Sequence, residues 1–222
     1  MTLSNEYCDL SMNSNLLQQL VNWPHYFISG TELKAILTGT EDARKAIIKR
    51  AVDEGYLQRL RRDYYLIRHI ANKPIINSFE LAQFIYGPSY ISFESALSYH
   101  EWIPERVTVT CSATVKQTKS FNTPVGEFSF EKIPNDSFKL GVAYIKEDDA
   151  RYLMADPWKA IADMIYCRKK RWESINDLMF DLRIEEECIK NHKLDLLAEL
   201  SKTYPHKLTR KTLQFFFEEL RQ

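Results

Sequence analysis

Nine basic side chains crowd one short stretch of an otherwise neutral chain. Between residues 44 and 73 stand Arg44, Lys45, Lys49, Arg50, Arg59, Arg61, Arg62, Arg68 and Lys73. Only Asp53, Glu54 and Asp63 oppose them, a local excess of six charges. Over all 222 residues, 30 Lys and Arg balance 30 Asp and Glu. Neutrality excludes a uniformly basic binder but not a local patch. Duplex DNA is a dense line of negative charge, and each phosphate neutralised releases condensed counterions, so such a patch is a plausible electrostatic footprint.

Placed on a helical wheel at about 100° per residue, Ile47, Ile48, Ala51 and Val52 fall in one arc and should face a core, while Lys45 and Lys49 fall opposite with Arg50 nearby. Arg44 projects toward the apolar arc and must reach out from the first turn to meet anything outside. If this helix lies in a major groove, Thr40, Arg44, Lys45 and Lys49 are the candidates for phosphate or base-edge contact. Arg59, Arg61 and Arg62 follow on a short ribbon, where they would grip backbone or enter the minor groove. Asp63 at the tip of that ribbon repels phosphate.

Other chemistries find no constellation. The four cysteines, Cys8, Cys111, Cys167 and Cys188, are scattered without a Cys-x-x-Cys pair, and no histidine stands at metal-ligand spacing. Four reduced thiols and no metal or cofactor are therefore expected. No glycine-rich phosphate loop, G-x-S-x-G elbow or H-E-x-x-H motif occurs. Asp148-Asp149 and Glu185-Glu186-Glu187 read as surface carboxylates, the triplet complementing a helix start. Lys159 and Asp163, four apart on one helix, read from spacing alone as an exposed ion pair worth under about 1 kcal/mol, with Ile161, Ala162 and Ile165 packing inward. An enzyme is not expected.

The elements that must carry the basic patch are legible from caps and turns. Leu16, Leu17, Leu20 and Val21 recur at helical spacing and stop before Trp23-Pro24. Ser29-Gly30-Thr31-Glu32 has the form of a capping box, and the pattern recurs at Thr38-Gly39-Thr40-Glu41, opening a helix toward Glu54 with Gly55 behind it. Two capped helices joined by a glycine-containing turn suggest a helix-turn-helix. The runs from Tyr56 to Arg61 and from Tyr64 to Ile67, with Arg62-Asp63 between, suggest a hairpin. Three helices and a hairpin make a winged helix-turn-helix.

A boundary is expected at Asn72-Lys73-Pro74, separating a DNA-binding domain over 1–73 from a mixed α+β domain over 74–222. In the second part, helices are expected over Ser78 to Tyr86 and Ser89 to His100. Strands follow at Arg106 to Cys111, Ser120 to Phe121, Gly126 to Ile133 and Phe138 to Ile145, and helices return from Asp156 onward. The fold class is α+β. Apolar runs are far shorter than a membrane span and the first residues lack a secretory signal, which leaves the cytoplasm as the expected compartment and no membrane partner.

Four segments together resemble a known family. They are Arg59-Leu60-Arg61-Arg62-Asp63-Tyr64-Tyr65; Tyr86-Gly87-Pro88-Ser89-Tyr90-Ile91-Ser92-Phe93-Glu94-Ser95-Ala96-Leu97-Ser98-Tyr99-His100 running on to Ile103-Pro104-Glu105; Thr123-Pro124-Val125-Gly126-Glu127-Phe128; and Ala155-Asp156-Pro157-Trp158-Lys159-Ala160 with Asp163. In this order and spacing the chain, from about Leu16 to Leu182, is similar to the AbiEi-type (type IV) antitoxins of bacterial abortive-infection systems, the second segment being the most specific. The resemblance implies an N-terminal winged helix that binds and represses the promoter of its own operon. It also implies a C-terminal domain that counters a nucleotidyltransferase toxin, with direct contact left open, and it raises Lys159 and Asp163 to antitoxicity residues. Asp63 stands where the family usually has Gly, Trp158 replaces a Glu-like residue, and the stretch after Leu182 has no match. A toxin of that class needs a Gly-Ser turn followed by Asp-x-Asp, which Gly87-Pro88-Ser89 lacks. The alternative expectation is a stand-alone winged-helix regulator whose C-terminal domain senses a ligand.

Overall fold

Helix starts are set by local hydrogen bonding, and the capping signals act where the sequence places them. In the computed structural model, which describes residues 15–68, 75–105 and 107–221, the Glu32 backbone N–H donates to Ser29 Oγ at 3.2 Å. The Ser29 N–H donates in return to Glu32 Oε2 at 2.7 Å. The chain divides into two units, Met1–Asn77 and Ser78–Gln222. The expected boundary at Asn72-Lys73-Pro74 lies outside the described residues, as do Cys8 and the polar first dozen positions.

In the first unit residues 15–22 are helical (α1), followed by β1 (Phe27–Ser29), α2 (Gly30–Ile36), α3 (Glu41–Asp53), β2 (Leu57–Arg61) and β3 (Tyr64–Ile67). The cap of α3 differs from the expected box. Thr40, not Thr38, is the N-cap, and its hydroxyl accepts from the Ala43 N–H at 3.3 Å. Helix α3 ends as expected, with Gly55 taking a positive φ of 82° behind it. The apolar arc of α3 (Ile47, Ile48, Ala51) meets Leu16, Leu20, Ile28, Leu33, Leu57 and Ile67 in one core.

The short strand β1 was not expected. Three residues carry too little periodicity to announce a strand, and its existence depends on antiparallel pairing with β3, Phe27 opposite Leu66 and Ser29 opposite Tyr64. The sheet order is β1-β3-β2. Between Arg59 and Arg61 the register slips by a residue, and Asp63 takes the left-handed conformation at φ 62°. That is the arrangement of a hairpin closed by a bulge, in which Asp is tolerated at a position that glycine fits best. The Gly30 N–H donates to the Asp63 carbonyl at 2.7 Å, tying the hairpin tip to the start of α2.

The second unit contains α4 (Ser78–Tyr86), β4 (Ser89–Ile91), α5 (Phe93–Tyr99), β5 (Val109–Thr114), β6 (Lys119–Thr123), β7 (Gly126–Lys132), a 3-10 turn (Asn135–Ser137), β8 (Val142–Glu147), β9 (Ala150–Ala155), α6 (Pro157–Arg168), α7 (Ile175–Leu182), α8 (Glu186–Lys190), α9 (Asp195–Thr203) and α10 (Lys207–Glu219). Its six strands run in the order β6-β7-β5-β4-β9-β8. Pairs β4–β9 and β5–β7 are parallel and the others antiparallel. The α+β class holds.

Three elements correct the expectation. Ser89–Ile91 is a buried strand rather than the opening of a helix, because it fills the slot between β5 and β9. The strand expected from Phe138 begins only at Val142, after the 3-10 turn and Gly141 at φ 71° redirect the chain. Strand β9 went unseen, and Asp148-Asp149 form the exposed turn joining it to β8. No helix among the described residues is long and apolar enough to cross a membrane.

Candidate nucleic-acid interface

Helix α3 and the β2–β3 hairpin enclose a cleft of about 620 Å3 in the first unit. Lys45 and Lys49 from α3 and Arg59 and Arg62 from the hairpin line it, and all four are exposed. The sequence reading missed a fifth cation, Lys34 of α2, because it counted charge from Arg44 onward. Three carboxylates share the cleft: Glu41, Asp53 and Asp63.

The individual placements differ. Lys49 and Arg59 carry no carboxylate partner within reach among the described residues. Lys45 is held by Glu41 at 3.1 Å and Asp42 at 3.5 Å, both on the first turn of its own helix. The hydrogen bond and charge from Lys45 hold the Glu41 carboxyl below its usual range, so that carboxylate stays ionised and competes with any phosphate for Lys45. Arg62 lies 3.7 Å from Asp63 with both side chains exposed. Thr40 uses its hydroxyl oxygen as the α3 cap, which leaves the hydroxyl proton to donate outward.

Two candidates are turned to other work. Arg44 is a correction: its Nη1 donates to the Lys34 carbonyl at 3.0 Å and its Nε is buried without a partner. Its place beside the apolar arc of α3 points it at α2, so it ties the two helices together. Arg61 lies over the Tyr64 ring, its guanidinium carbon 3.5 Å from the centroid, and it does not line the cleft. The bulge separates it from Arg59, which a regular strand would have kept on the same face.

Lys159 and Asp163 are a larger correction. They are an ion pair at 2.7 Å as the four-residue spacing suggests, but both side chains are 0% exposed. Helix α6 is buried from Pro157 to Ile165, so the half-polar pattern expected of a surface helix does not apply to it. Asp156 caps it by accepting from the Trp158 N–H at 2.9 Å, and Pro157 takes the first helical position, as expected.

Four donors converge on the Asp163 carboxylate. Oδ2 accepts from Tyr90 Oη at 2.7 Å and Ser92 Oγ at 2.9 Å, and Oδ1 from Lys159 Nζ at 2.7 Å and Tyr204 Oη at 3.1 Å. That fills the acceptor capacity of a carboxylate. The Lys159 ammonium also sits over the rings of Tyr204 and Tyr90, at 5.0 and 5.5 Å from their centroids. Burial, and then the Asp163 charge, push both phenols well above their ordinary range, so they remain donors. Tyr90, Ser92 and Tyr204 were not anticipated. Tyr204 shows that the chain beyond Leu182 closes over this cluster, with α9 and α10 packed on α6.

Gly141 fits tightly against the same helix. A Cβ there would stand 2.9 Å from Leu196 Cδ2 and 3.0 Å from Lys159 Cβ, at a φ that side chains avoid. Gly141→Ala is expected to destabilise the second unit by about 1–3 kcal/mol, measured as a shift in urea midpoint; an unchanged midpoint refutes the fit.

Among the described residues no group of three His, Cys, Asp or Glu side chains is arranged to hold a metal ion. The Asp163 cluster lies out of solvent reach, so it cannot present a nucleophile or base to a substrate in this conformation. Compared with known proteins, the chain matches no family model and no curated protein.

Proposed function

We propose that this chain is a DNA-binding autoregulator and antitoxin, in which the first unit is a winged helix that represses its own promoter and the second counters a nucleotidyltransferase toxin. The observation that carries the DNA reading is the exposure of Lys45, Lys49, Arg59 and Arg62 around one cleft between α3 and the hairpin. The order helix, strand, helix, helix, hairpin supports the winged-helix reading. In it, α3 enters the major groove with Thr40 and Lys49 toward the backbone and base edges, and the hairpin sets Arg59 and Arg62 on phosphates. Arg44 and Arg61 support these elements from within.

The antitoxin half rests on the resemblance of the four segments. Buried as they are, Lys159 and Asp163 serve it by holding the second unit together and do not touch a toxin. Gel-shift titration of the full chain on the duplex upstream of its own gene, against an unrelated duplex, tests the first half. Preference for the upstream duplex is expected, and equal affinity for both removes the autoregulator. Co-expression with the neighbouring gene tests the second, rescue of growth being the expected result.

Asp63 provides a sharper check. It lines the cleft, carries a charge that repels phosphate and sits at a backbone position glycine adopts freely. Asp63→Gly is expected to keep the fold and raise affinity roughly threefold at low salt, the gain fading as salt screens it. A variant that folds but binds no better counts against phosphate lying near the hairpin tip.

A further inference from the structure

The second unit has a cationic groove of its own, of about 600 Å3, between the β7 end, the chain after α6 and the start of α10. Lys132, Lys169 and Arg171 line it, all exposed and none with a carboxylate partner among the described residues. The one acid lining it among the described residues, Glu131, is engaged by Arg168 Nε at 3.0 Å. Three unopposed cations at one concavity of a neutral protein raise the local potential, and their mutual repulsion is relieved when an anion enters.

The walls between the cations carry aromatic and aliphatic side chains. Tyr166, His206 and Leu208 line the same groove, with the Tyr166 and His206 rings 5.3 Å apart and edge to face. Leu208 is 47% exposed at the groove although it lies at the start of a packed helix. The Thr209 N–H donates to His206 Nδ1 at 3.4 Å, which caps the start of α10 and holds the ring in place. A volume of this size suits a small molecule. Cations and aromatic side chains lining one groove match a phosphate joined to a flat heterocycle, since bases stack on aromatic side chains whatever their identity.

We infer that this groove binds a phosphorylated nucleotide, its phosphate on Lys132, Lys169 and Arg171 and its base against Tyr166 and Leu208. The same chemistry is offered by a free nucleotide and by one residue of a single strand. Its residues all belong to the second unit, so it stands or falls independently of the cleft beside α3.

The test is equilibrium binding to the full chain by two probes, ATP and a short 5′-phosphorylated single-stranded oligoribonucleotide. Lys49, Arg59 and Arg62 are changed to Ala throughout, so that the first unit does not take up the oligonucleotide. Saturable binding is expected, weakened about tenfold or more by Lys132→Ala with Lys169→Ala and Arg171→Ala, and left unchanged by the exposed control Lys202→Ala. Tyr166→Leu should weaken it several-fold; because Tyr166 also packs near Tyr204, the three exposed cations carry the test. ATP binding assigns a free nucleotide, and binding of the oligonucleotide alone assigns a strand. No binding of either probe, or equal loss with Lys202→Ala, overturns the site. Equal affinity for a duplex that ignores Tyr166→Leu reduces it to a generic polyanion surface and overturns the nucleotide.

Discussion

Replacing Asp163 with Ala is expected to cost the second unit about 3–5 kcal/mol, because it leaves a buried ammonium without its counter-charge. Against a typical domain stability of about 5–15 kcal/mol this is a large share. The loss exceeds the pair itself: Tyr90, Ser92 and Tyr204 each lose the acceptor of a buried hydroxyl. Asp163→Asn separates that loss from cavity formation, since the amide keeps shape and volume. An amide offers one accepting edge and one donating edge, whereas donors approach this carboxylate from both sides, so Asn should still cost at least about 2 kcal/mol. Three tryptophans, Trp102, Trp158 and Trp172, are buried in the second unit, so urea unfolding followed by tryptophan fluorescence reads it. With a slope of about 1–3 kcal/mol per molar, the Ala variant should lose more than about 1 M in midpoint. An Asn variant with an unchanged midpoint would falsify the view that this carboxylate organises the core.

The same geometry separates Lys159 and Asp163 from an ordinary buried pair. Exchanging two buried charges for apolar residues of similar volume is often neutral or stabilising. Here Lys159→Met with Asp163→Leu would strand three hydroxyls, so the double variant should stay destabilised. Loss of antitoxicity in either single variant is therefore expected to track loss of folded protein, and rescue of growth by a destabilised but soluble variant would separate the two.

What could be read from the sequence was what short-range chemistry decides. The Ser29–Glu32 cap, the Asp156-Pro157 start of α6, the Arg62-Asp63 turn and the apolar arc of α3 each depend on neighbours within four residues. Where two caps competed, spacing favoured Thr38 and the hydrogen bond chose Thr40. Strands β1 and β4 are three residues long and depend on partners far along the chain, whereas β9 pairs with its neighbour β8 across the Asp148-Asp149 turn. The pairing of Lys159 with Asp163 was legible, but their burial was not, because the hydroxyls that make it tolerable come from 73, 71 and 41 residues away. At the cationic cleft, residue type was enough to nominate Lys49 and Arg59. It could not tell that a bulge would turn Arg61 onto Tyr64, or that Glu41 and Asp42 would occupy Lys45.

Removing Lys49, Arg59 and Arg62 together is expected to weaken binding to the upstream duplex by roughly a hundredfold at moderate salt, each phosphate contact contributing on the order of 1 kcal/mol. Affinity loss alone could follow from misfolding, so the discriminating quantity is the dependence on salt. Log affinity falls linearly with log salt at about 0.9 per neutralised phosphate, and three lost contacts should flatten that slope by about 2–3. The cleft also ranks single changes. Lys49→Ala and Arg59→Ala should each flatten the slope by close to one contact. Lys45→Ala should do less, since Glu41 and Asp42 already hold its ammonium. Arg44→Ala should lower stability through the lost tie to the Lys34 carbonyl and leave the slope unchanged. A triple variant whose slope equals that of the parent chain removes the cleft from the duplex interface, whatever happens to its affinity. If Arg44 flattens the slope as Lys49 does, helix α3 meets DNA by a face other than the one it exposes here.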